Sequence, residues 1–387
     1  MVNGGRRRPD FVDALLPTMV ALIIYRLGLM IPIPGLDPKF TAGLGQAGGA
    51  VLHIPGGNAA RTSIFALDIF PLFGILIVAE LAKVLVPRLR RWENAKAANA
   101  GKLARIVFVV ALFSACLQAG GVASGLEAIS GLVAEPGLLF RLSAIATLIT
   151  ATALVTWLAT QITRRGLGSG LWLVIVAPTL AGLPLTLKEI ADLEGQGVVS
   201  GPSLVAAAIF TVLAIAAVAA LQFAGRQNSG TPSAHAWTAI LGYTVLPWVL
   251  VALSWLPGAR ASGDSIAWVE PGHPIRLIVL AALIVMFAKL HANSIRLSGG
   301  EVPSVPPAVS GAILAAIAVG SELLPHHLDV PLPLGGQPLL IIAIVVTTLL
   351  GDWGNGPLAR GVREEINPPP QTGSSRAPWP PRWWRRR

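Results

Sequence analysis

Charged residues are scarce in this 387-residue chain. They make up 12% of it, whereas hydrophobic residues make up 53%. Soluble domains carry roughly 25% charged residues, and a chain of this composition has too few polar side chains to cover a water-facing surface of its size. The shortage of charge therefore excludes a soluble protein and predicts a single membrane domain.

Cysteine is nearly absent, and the common signatures of enzyme chemistry are missing. Cys116 is the single cysteine and lies in an apolar run, which excludes a disulfide framework and a cysteine-based metal site. The sequence contains no phosphate-binding Gly-Lys-Ser/Thr loop, no His-Glu-x-x-His and no Gly-x-Ser-x-Gly, so nothing marks nucleotide hydrolysis or peptidase chemistry. We predict that the chain is not an enzyme, with no catalytic residue and no cofactor.

Long apolar runs recur along nearly the whole chain. Each approaches the roughly 20 residues that a helix needs to cross about 30 Å of hydrocarbon. We therefore predict an all-α polytopic membrane protein of about ten transmembrane helices. The predicted spans are residues 11–31, 64–86, 103–122, 138–159, 167–187, 201–223, 236–256, 275–292, 306–324 and 337–352.

The basic residues indicate how these spans are oriented. Of the 29 lysines and arginines, about 22 fall in the N-terminus, in alternate loops and in the C-terminal tail, and 6 fall in the other set of loops. By the positive-inside rule the first set is cytoplasmic, so both termini are predicted to be cytoplasmic. Because the basic residues are spread in this way, we assign the net charge of +10 to membrane orientation and not to nucleic-acid binding.

The first apolar run imitates a secretory signal, because Arg6–Arg8 precede it. The run contains Arg26, however, and leads into Ile31-Pro32-Ile33-Pro34-Gly35 instead of a small-residue cleavage site, so we interpret it as a retained first span. From Asn367 onward the tail is proline-rich and basic. Such a tail does not fold alone and favours contact with an anionic cytoplasmic leaflet.

Residues 36–63 fit neither a span nor an ordinary loop. The segment is rich in glycine and alanine, too weakly apolar to span a membrane and too apolar for a solvated connection. Irregular backbone at membrane depth is tolerated where protein or water covers it. A re-entrant or pore-occupying segment and a simple exterior loop both remain open.

A few charged residues lie inside predicted spans, where each costs about 2.5–3.5 kcal/mol at mid-helix on insertion scales. Glu80 and Lys83 are one helical turn apart near a span end, so pairing and snorkelling give them a structural interpretation. Asp68 lies near the opposite end of that span and could reach water or Arg26. Arg26 and Asp68 are candidates for a membrane-embedded charged site.

The histidine pair His326-His327 lies in a predicted loop between Glu322 and Asp329. A metal site is conceivable for such a group, but solvated loop residues are the default interpretation. We therefore predict no metal site.

Four stretches, in order along the chain, match one family of membrane channels. They fall at the end of the first span, the start of the second, the entry and exit of the fifth, and the tenth. They read Tyr25-Arg26-Leu27-Gly28 with Ile31-Pro32-Ile33-Pro34-Gly35-Leu36-Asp37; Ser63-Ile64-Phe65-Ala66-Leu67 with Ile69 and Pro71; Gln161-Ile162-Thr163, Arg165-Gly166, Gly168, Gly170 and Ala181-Gly182-Leu183-Pro184; and Gly335-Gly336 with Leu339-Leu340-Ile341. Together with ten spans, these stretches resemble the SecY family of protein-conducting channels over about residues 11–352.

The resemblance implies a channel of two inverted five-helix halves that opens sideways to lipid. The implied organisation is a basic cytoplasmic N-terminus (1–10), a first half (11–187) with a plug-like segment (42–62), an exterior connection (188–200), a second half (201–352) and a cytoplasmic tail (353–387).

The resemblance also implies site residues. The channel's waist would be a ring of mostly apolar side chains, which dewets and blocks ions while yielding to a polypeptide. Its members would be Ile69, Phe73, Ile175, Thr179, Thr238 or a near neighbour, and Ile341; ordinary helix packing is the alternative for each. Glu80 and Gln118 fall at the implied lateral gate.

The implied partners are an unfolded polypeptide client, the lipid bilayer, and small SecE-like and SecG-like membrane subunits. Two departures put docking of a motor ATPase or ribosome in doubt. The basic loop before the seventh span shrinks to residues 222–236 with Arg226 as its one arginine, and Pro306 stands where the family has a key arginine after Glu301-Val302-Pro303-Ser304-Val305. We predict a specialised paralogue in the inner membrane of a bacterium.

Two other function classes stay open. A small-solute secondary transporter would use Arg26, Asp68 and Glu80 as an ion site, although these charges lie towards span ends, where transporters seldom bind. A membrane assembly scaffold would keep the channel fold without conducting, because fold alone does not certify function.

Overall fold

The computed structural model describes residues 11–37, 62–229, 234–255, 268, 270–299, 305–328 and 336–353. Within these residues the regular elements are helices, together with two isolated β-bridges. The helices are α1 (Phe11–Gly28), α2 (Phe70–Leu85), α3 (Pro87–Ala95), α4 (Ala97–Glu127), α5 (Leu138–Arg165), α6 (Gly170–Gly195), α7 (Gly201–Ser229), α8 (Ala234–Ser254), α9 (Pro274–Leu297), α10 (Pro307–Leu328) and α11 (Gln337–Trp353). The all-α prediction is confirmed.

Seven of the described helices, α4 to α10, are long and apolar enough to cross a membrane by length and composition. The count rises to eight if the bent pair α2 and α3 forms one span. The first and tenth predicted spans coincide with shorter apolar helices, Ala14–Gly28 and Gln337–Leu349. Each predicted span therefore contains a helix, while seven or eight meet the criteria for crossing.

Several helices run beyond the predicted spans. The helix α6 continues to Gly195, so Ala181-Gly182-Leu183-Pro184 lies inside it and part of the predicted exterior connection is helical. The helix α7 continues to Ser229, and α8 begins at Ala234. Most of the predicted loop 222–236 is therefore helix, and residues 230–233 connect the two elements.

The junction between α2 and α3 bends the chain by 105°. Val86 there has non-helical angles, φ −120° and ψ 84°, and Pro87 opens the new helix. Proline disfavours helical geometry in the residue before it and suits the first turn of a helix. The Val86-Pro87 pair therefore ends one helix and starts the next.

The chain divides into two compact units, each described here by itself. The first comprises the described residues of 1–76, 101–182 and 348–387, and the second those of 77–100 and 183–347. This division differs from two successive five-helix halves, and the inverted repeat of those halves stays a prediction.

In the first unit, α1 packs against α5. The hydroxyl of Thr18 in α1 accepts the backbone N–H of Leu167 just after α5, at 2.9 Å. A methyl group at Gly170 would overlap the carbonyl oxygen of Ala159, so the end of α5 and the start of α6 approach too closely for any other residue. Glycine thus permits the sharp turn between these helices.

In the second unit, α9 packs against both α8 and α10. Arg276 at the start of α9 forms a two-pronged ion pair with Glu322 of α10, with N–O distances of 2.9 and 3.2 Å. In α11, Thr347 donates its hydroxyl to Gln222 Oε1 of α7 at 2.6 Å. Such side-chain hydrogen bonds fix neighbouring helices where water is absent.

Candidate functional site

Three short segments of the first unit are joined by isolated bridges and hold the residues that flank positions 38–61. Pro32 forms a β-bridge with Ser63, and Leu36 forms one with Val133. Backbone hydrogen bonds run from Ile33 N to Thr62 O (2.8 Å) and from Ile64 N to Ile31 O (2.9 Å). We call segments 31–37, 62–64 and 132–134 the frame. It holds the residues on either side of positions 38–61, which include most of the predicted plug-like segment 42–62.

The frame rests on buried apolar side chains. Ile33, Leu36, Leu132 and Val133 are buried in one cluster with Phe140 of α5. The loop that carries residues 132–134 is tied down by Glu127, whose carboxylate accepts the N–H of Gly137 (2.9 Å) and pairs with Arg141 (2.6 Å). The frame is therefore part of the core of its unit.

A buried polar pair stands beside the frame, at the start of α2. The Tyr25 hydroxyl donates a hydrogen bond of 2.6 Å to Asp68 Oδ2, and Ile69 N donates one of 2.7 Å to Asp68 Oδ1. Tyr25 is 2% exposed and Asp68 6%. For Asp68 the sequence left water and Arg26 open as partners. Its partner is a tyrosine of α1, and Arg26 itself is exposed.

The predicted waist residues of the first unit lie at the start of α2 and in α6. Ile69 is fully buried at 0% exposure, and Phe73, whose N–H donates to Ile69 O, is buried one turn later. The Phe73 ring meets the Trp172 ring of α6 edge to face, with centroids 5.8 Å apart. Ile175 is buried one turn beyond Trp172, and Thr179 is half-buried a turn further. Phe73 and Trp172 thus join the two helices that carry these residues.

The other predicted waist residues belong to the second unit. Thr238 in α8 is 1% exposed and Ile341 in α11 is 6% exposed. Burial suits both a closed waist and ordinary helix packing. Whether the six residues form one ring stays a prediction.

The two predicted lateral-gate residues differ in their surroundings. Gln118 is exposed on α4 and donates a hydrogen bond of 2.9 Å to Ser114 Oγ. Glu80 lies in α2 and is engaged by Lys83 and Arg90, at 2.5 and 3.4 Å. The two residues belong to different units, so their gate role stays a prediction.

The predicted pairing of Glu80 with Lys83 is confirmed and proves to be part of a larger cluster. Lys83 also contacts Glu93 of α3 at 3.3 Å, and the four side chains of the cluster are only 12–20% exposed. The Ser294 hydroxyl of α9 donates to the Lys83 carbonyl at 2.7 Å. Two positive and two negative charges balance, so this cluster fixes α3 beside the end of α2.

Some predictions lie outside what the structure describes. These are residues 1–10, the plug-like segment up to residue 61, the stretch 301–304 and the tail from residue 354, together with the side chains of Arg226 and of His326-His327. Among the described residues, no group of three His, Cys, Asp or Glu lies close enough to hold a metal ion.

Sequence reasoning missed several residues of this region. Tyr25 was seen only as part of a motif, and Trp172 was not singled out. Polar residues inside apolar spans are a signal that could have identified Gln222, Arg276 and Glu322, because burial in lipid requires a partner for each.

Comparison with known proteins gives one family. A sequence model of the SecY family matches residues 63–299. The protein translocase subunit SecY of Haemophilus influenzae is 27% identical over 401 residues, covering 89% of this chain and 90% of that protein. The protein translocase subunit SecY of Escherichia coli K12 is 28% identical over 391 residues, covering 86% and 88%.

The fold has solved counterparts as well. Sec61 in a canine ribosome-channel complex from the endoplasmic reticulum superposes with a TM-score of 0.52, covering 91% of this chain and 95% of that one. The two sequences are 14% identical, so this likeness concerns the fold alone.

Proposed function

This chain belongs to the SecY family of protein translocase subunits, and from that premise we propose that it conducts unfolded polypeptides across or into a membrane. Membership makes it a SecY-type protein-conducting channel subunit, a non-enzymatic component of a translocase. The observation that carries the proposal is the family match over residues 63–299. Alignment with SecY subunits over about nine-tenths of their length supports it.

In our proposal the barrier to ions is a waist of mostly apolar side chains. Its members are Ile69, Phe73, Ile175, Thr179, Thr238 and Ile341. A narrow apolar constriction loses its water and so stops ions, yet it makes no strong bonds that would retain a moving chain. A closed resting state requires these side chains to be shielded from water, and Ile69, Phe73, Ile175, Thr238 and Ile341 are buried.

The test is ion conductance of the purified protein in planar bilayers. Changing Ile69, Ile175 and Ile341 together to glycine should raise the conductance at rest, because the constriction widens and wets. The matched control changes Ile106, Ile209 and Ile278 to glycine; these isoleucines are 54–69% exposed on apolar helices. Glycine costs about 1 kcal/mol at each helical position of both variants. Ile69 lies in the turn before α2, and the buried waist positions lose packing as well, so only variants that remain folded are compared.

A leak in the waist variant but not in the control supports the waist. Equal conductance in wild type and both variants, with the protein folded, would remove the three isoleucines from the pore. It would also favour the alternative of a non-conducting assembly scaffold. The transporter alternative loses support, because Asp68 is bonded to Tyr25, and Glu80 to Lys83 and Arg90.

We also propose the arrangement around the waist. Residues 42–62 act as a plug, and the frame supports this by holding both flanks of that segment in the core. Glu80 and Gln118 contribute to a lateral gate.

Small SecE-like and SecG-like membrane subunits are the proposed partners, and the bacterial inner membrane, with both termini cytoplasmic, is the proposed location. Co-purification of a small single-span subunit from native membranes would test the partners.

We propose, finally, that this subunit docks weakly to a ribosome or motor ATPase. Only residues 230–233 separate α7 from α8, which leaves little room for a basic docking loop. A single surface charge is typically worth under about 1 kcal/mol and is screened by salt, so one arginine, Arg226, would contribute little to docking. Sedimentation with ribosomes or motor ATPase at physiological salt should show weak binding that falls further when residues 376–387 are removed. Tight, salt-resistant binding without that tail would contradict the proposal.

A further inference from the structure

The hydrogen bond between Tyr25 and Asp68 joins residues 43 positions apart in the chain. Tyr25 lies one turn before the end of α1, and Asp68 lies in the turn that leads into α2. Each is more than nine-tenths buried. The Tyr25 ring also stacks on Phe65, with centroids 5.9 Å apart and an angle of 16° between the planes. One side chain of α1 thus contacts the approach to α2 through both its ring and its hydroxyl.

The backbone at Asp68 is unusual. Its φ of +50° lies in the left-handed region, and it is the one non-glycine residue with positive φ among those that the structure describes. Glycine adopts this conformation without cost, whereas other residues need compensation. At Asp68 the carboxylate supplies it, because one oxygen accepts the N–H of Ile69 and the other the hydroxyl of Tyr25.

This geometry sets the direction in which Ile69 leaves the turn. Ile69 follows Asp68 directly and donates its backbone N–H to the Asp68 carboxylate, and its own carbonyl accepts the N–H of Phe73 at 3.0 Å. A buried charge that loses a partner is costly, so the turn has a strong preference for the orientation that keeps both bonds.

We propose that Tyr25 and Asp68 form a latch that positions Ile69 and Phe73 in the closed waist, and that opening this latch makes the channel leak. Both residues act through Ile69 and are positioning residues. The proposal rests on the proposed channel function.

The latch acts without any ligand or cofactor having to bind or leave. While the hydrogen bond between Tyr25 and Asp68 is intact, the turn at Asp68 is held against α1, and the position at which α2 begins is therefore fixed. With the latch open, Asp68 loses its hydrogen bond to α1 although Phe65 keeps its contact with the ring at position 25, and Ile69 samples orientations that break the apolar constriction. The conductance of the closed channel therefore measures whether the latch is intact.

The experiment compares four variants in planar bilayers, with thermal melting of each in detergent. Y25F removes the hydroxyl but keeps the ring on Phe65. D68G removes the carboxylate at a position where glycine accepts the φ angle. The double variant Y25F/D68G removes the whole latch and leaves no buried charge without its partner. D68N keeps an acceptor oxygen for Tyr25 and a residue type that tolerates left-handed geometry.

The expected result separates sealing from stability. Y25F, D68G and the double variant should each spend at least about 10- to 100-fold more time conducting than wild type, because each loses the charge-assisted buried hydrogen bond between Tyr25 and Asp68. The double variant should melt at a higher temperature than Y25F, because no carboxylate that has lost its tyrosine partner remains buried, and yet it should leak as much. D68N should restore much of the seal that D68G loses.

Two controls fix the interpretation. Y243F removes the buried hydroxyl of Tyr243, the other tyrosine of the chain, which lies in the second unit, and it should not leak. The waist variant with Ile69, Ile175 and Ile341 changed to glycine shows whether the channel can conduct at all.

If the waist variant conducts more than wild type while a folded Y25F/D68G protein conducts no more than wild type, the latch proposal is wrong and the proposed channel function still holds. A leak that follows melting temperature across the series, so that the double variant seals better than Y25F, would also overturn it. If the waist variant does not conduct either, the proposed channel function is wrong, and the latch proposal that rests on it is wrong as well.

Discussion

Breaking the ion pair between Arg276 and Glu322 should destabilise the second unit more than any exposed charge change. Arg276 Nε lies 2.9 Å from Glu322 Oε2, and Arg276 Nη2 lies 3.2 Å from Oε1. The arginine side chain is 17% exposed and the glutamate 8%. Arg276→Ala leaves the glutamate carboxylate buried without its counter-charge between α9 and α10.

The magnitude follows from that burial. Removing one partner of a buried pair costs about 3–5 kcal/mol, and the residual exposure of Arg276 places this case near the lower value. A loss of about 3 kcal/mol shifts the folding equilibrium by roughly 100-fold. Replacing both residues by apolar ones of similar size, as in R276M/E322L, should be nearly neutral, because it removes the desolvation cost together with the attraction.

The assay is the melting midpoint in detergent, followed by size-exclusion chromatography after heating. The expected order from most to least stable is wild type and R276M/E322L together, then E322Q, which keeps an acceptor, then R276A. Melting of R276A at the wild-type temperature would show that the pair is solvated. A double variant less stable than both single variants would show that the attraction exceeds the desolvation cost.

Two further predictions concern topology and packing. Reporter fusions after Arg165 and after Arg363 should both indicate the cytoplasm, and a fusion within residues 325–335 the exterior; an exterior signal at the tail would contradict the ten-span topology. Gly170→Ala should destabilise the protein by about 1–3 kcal/mol, because the methyl group overlaps backbone that cannot move freely. Gly182→Ala, where nothing lies within 4 Å of the added carbon, should stabilise it slightly, and equal melting of the two variants would contradict the close approach.

The helices could be predicted from sequence because apolar runs of span length have few alternatives in a membrane. Their ends could not. Residues 188–195 continue α6 and residues 224–229 continue α7, although neither stretch is as apolar as the span before it. Hydropathy detects the apolar part of a helix and not the more polar residues that continue it.

Whether a polar contact could be predicted depends on how far apart its two residues lie in the sequence. Glu80 and Lys83 are three residues apart, so helical geometry alone predicts their contact. Asp68 has its partner 43 residues away and Gln222 has its partner 125 residues away, and no local spacing indicates either. These pairs depend on which helices pack together, and that is decided by the whole fold.

The predicted waist residues differ in the same way from the contacts they make. Family resemblance proposes Ile69 and Phe73 for the waist, but it gives no role to Trp172, whose ring contacts Phe73 from α6. That contact depends on the crossing of two helices about 100 residues apart in the chain. Residue identities could be carried over from motifs, whereas contacts between helices required the structure.

The most direct measurement of the central claim is site-specific photocrosslinking to a polypeptide in transit. Benzoylphenylalanine is introduced at Phe73, at Ile341 or at the exposed control Leu139, which is 87% accessible. A secretory precursor with a folded domain at its C-terminus is then stalled partway across the membrane. A protein-conducting channel predicts adducts with the precursor from Phe73 and Ile341 and none from Leu139. No adducts from Phe73 or Ile341, or equal adducts from all three positions, would contradict passage of polypeptide through the waist.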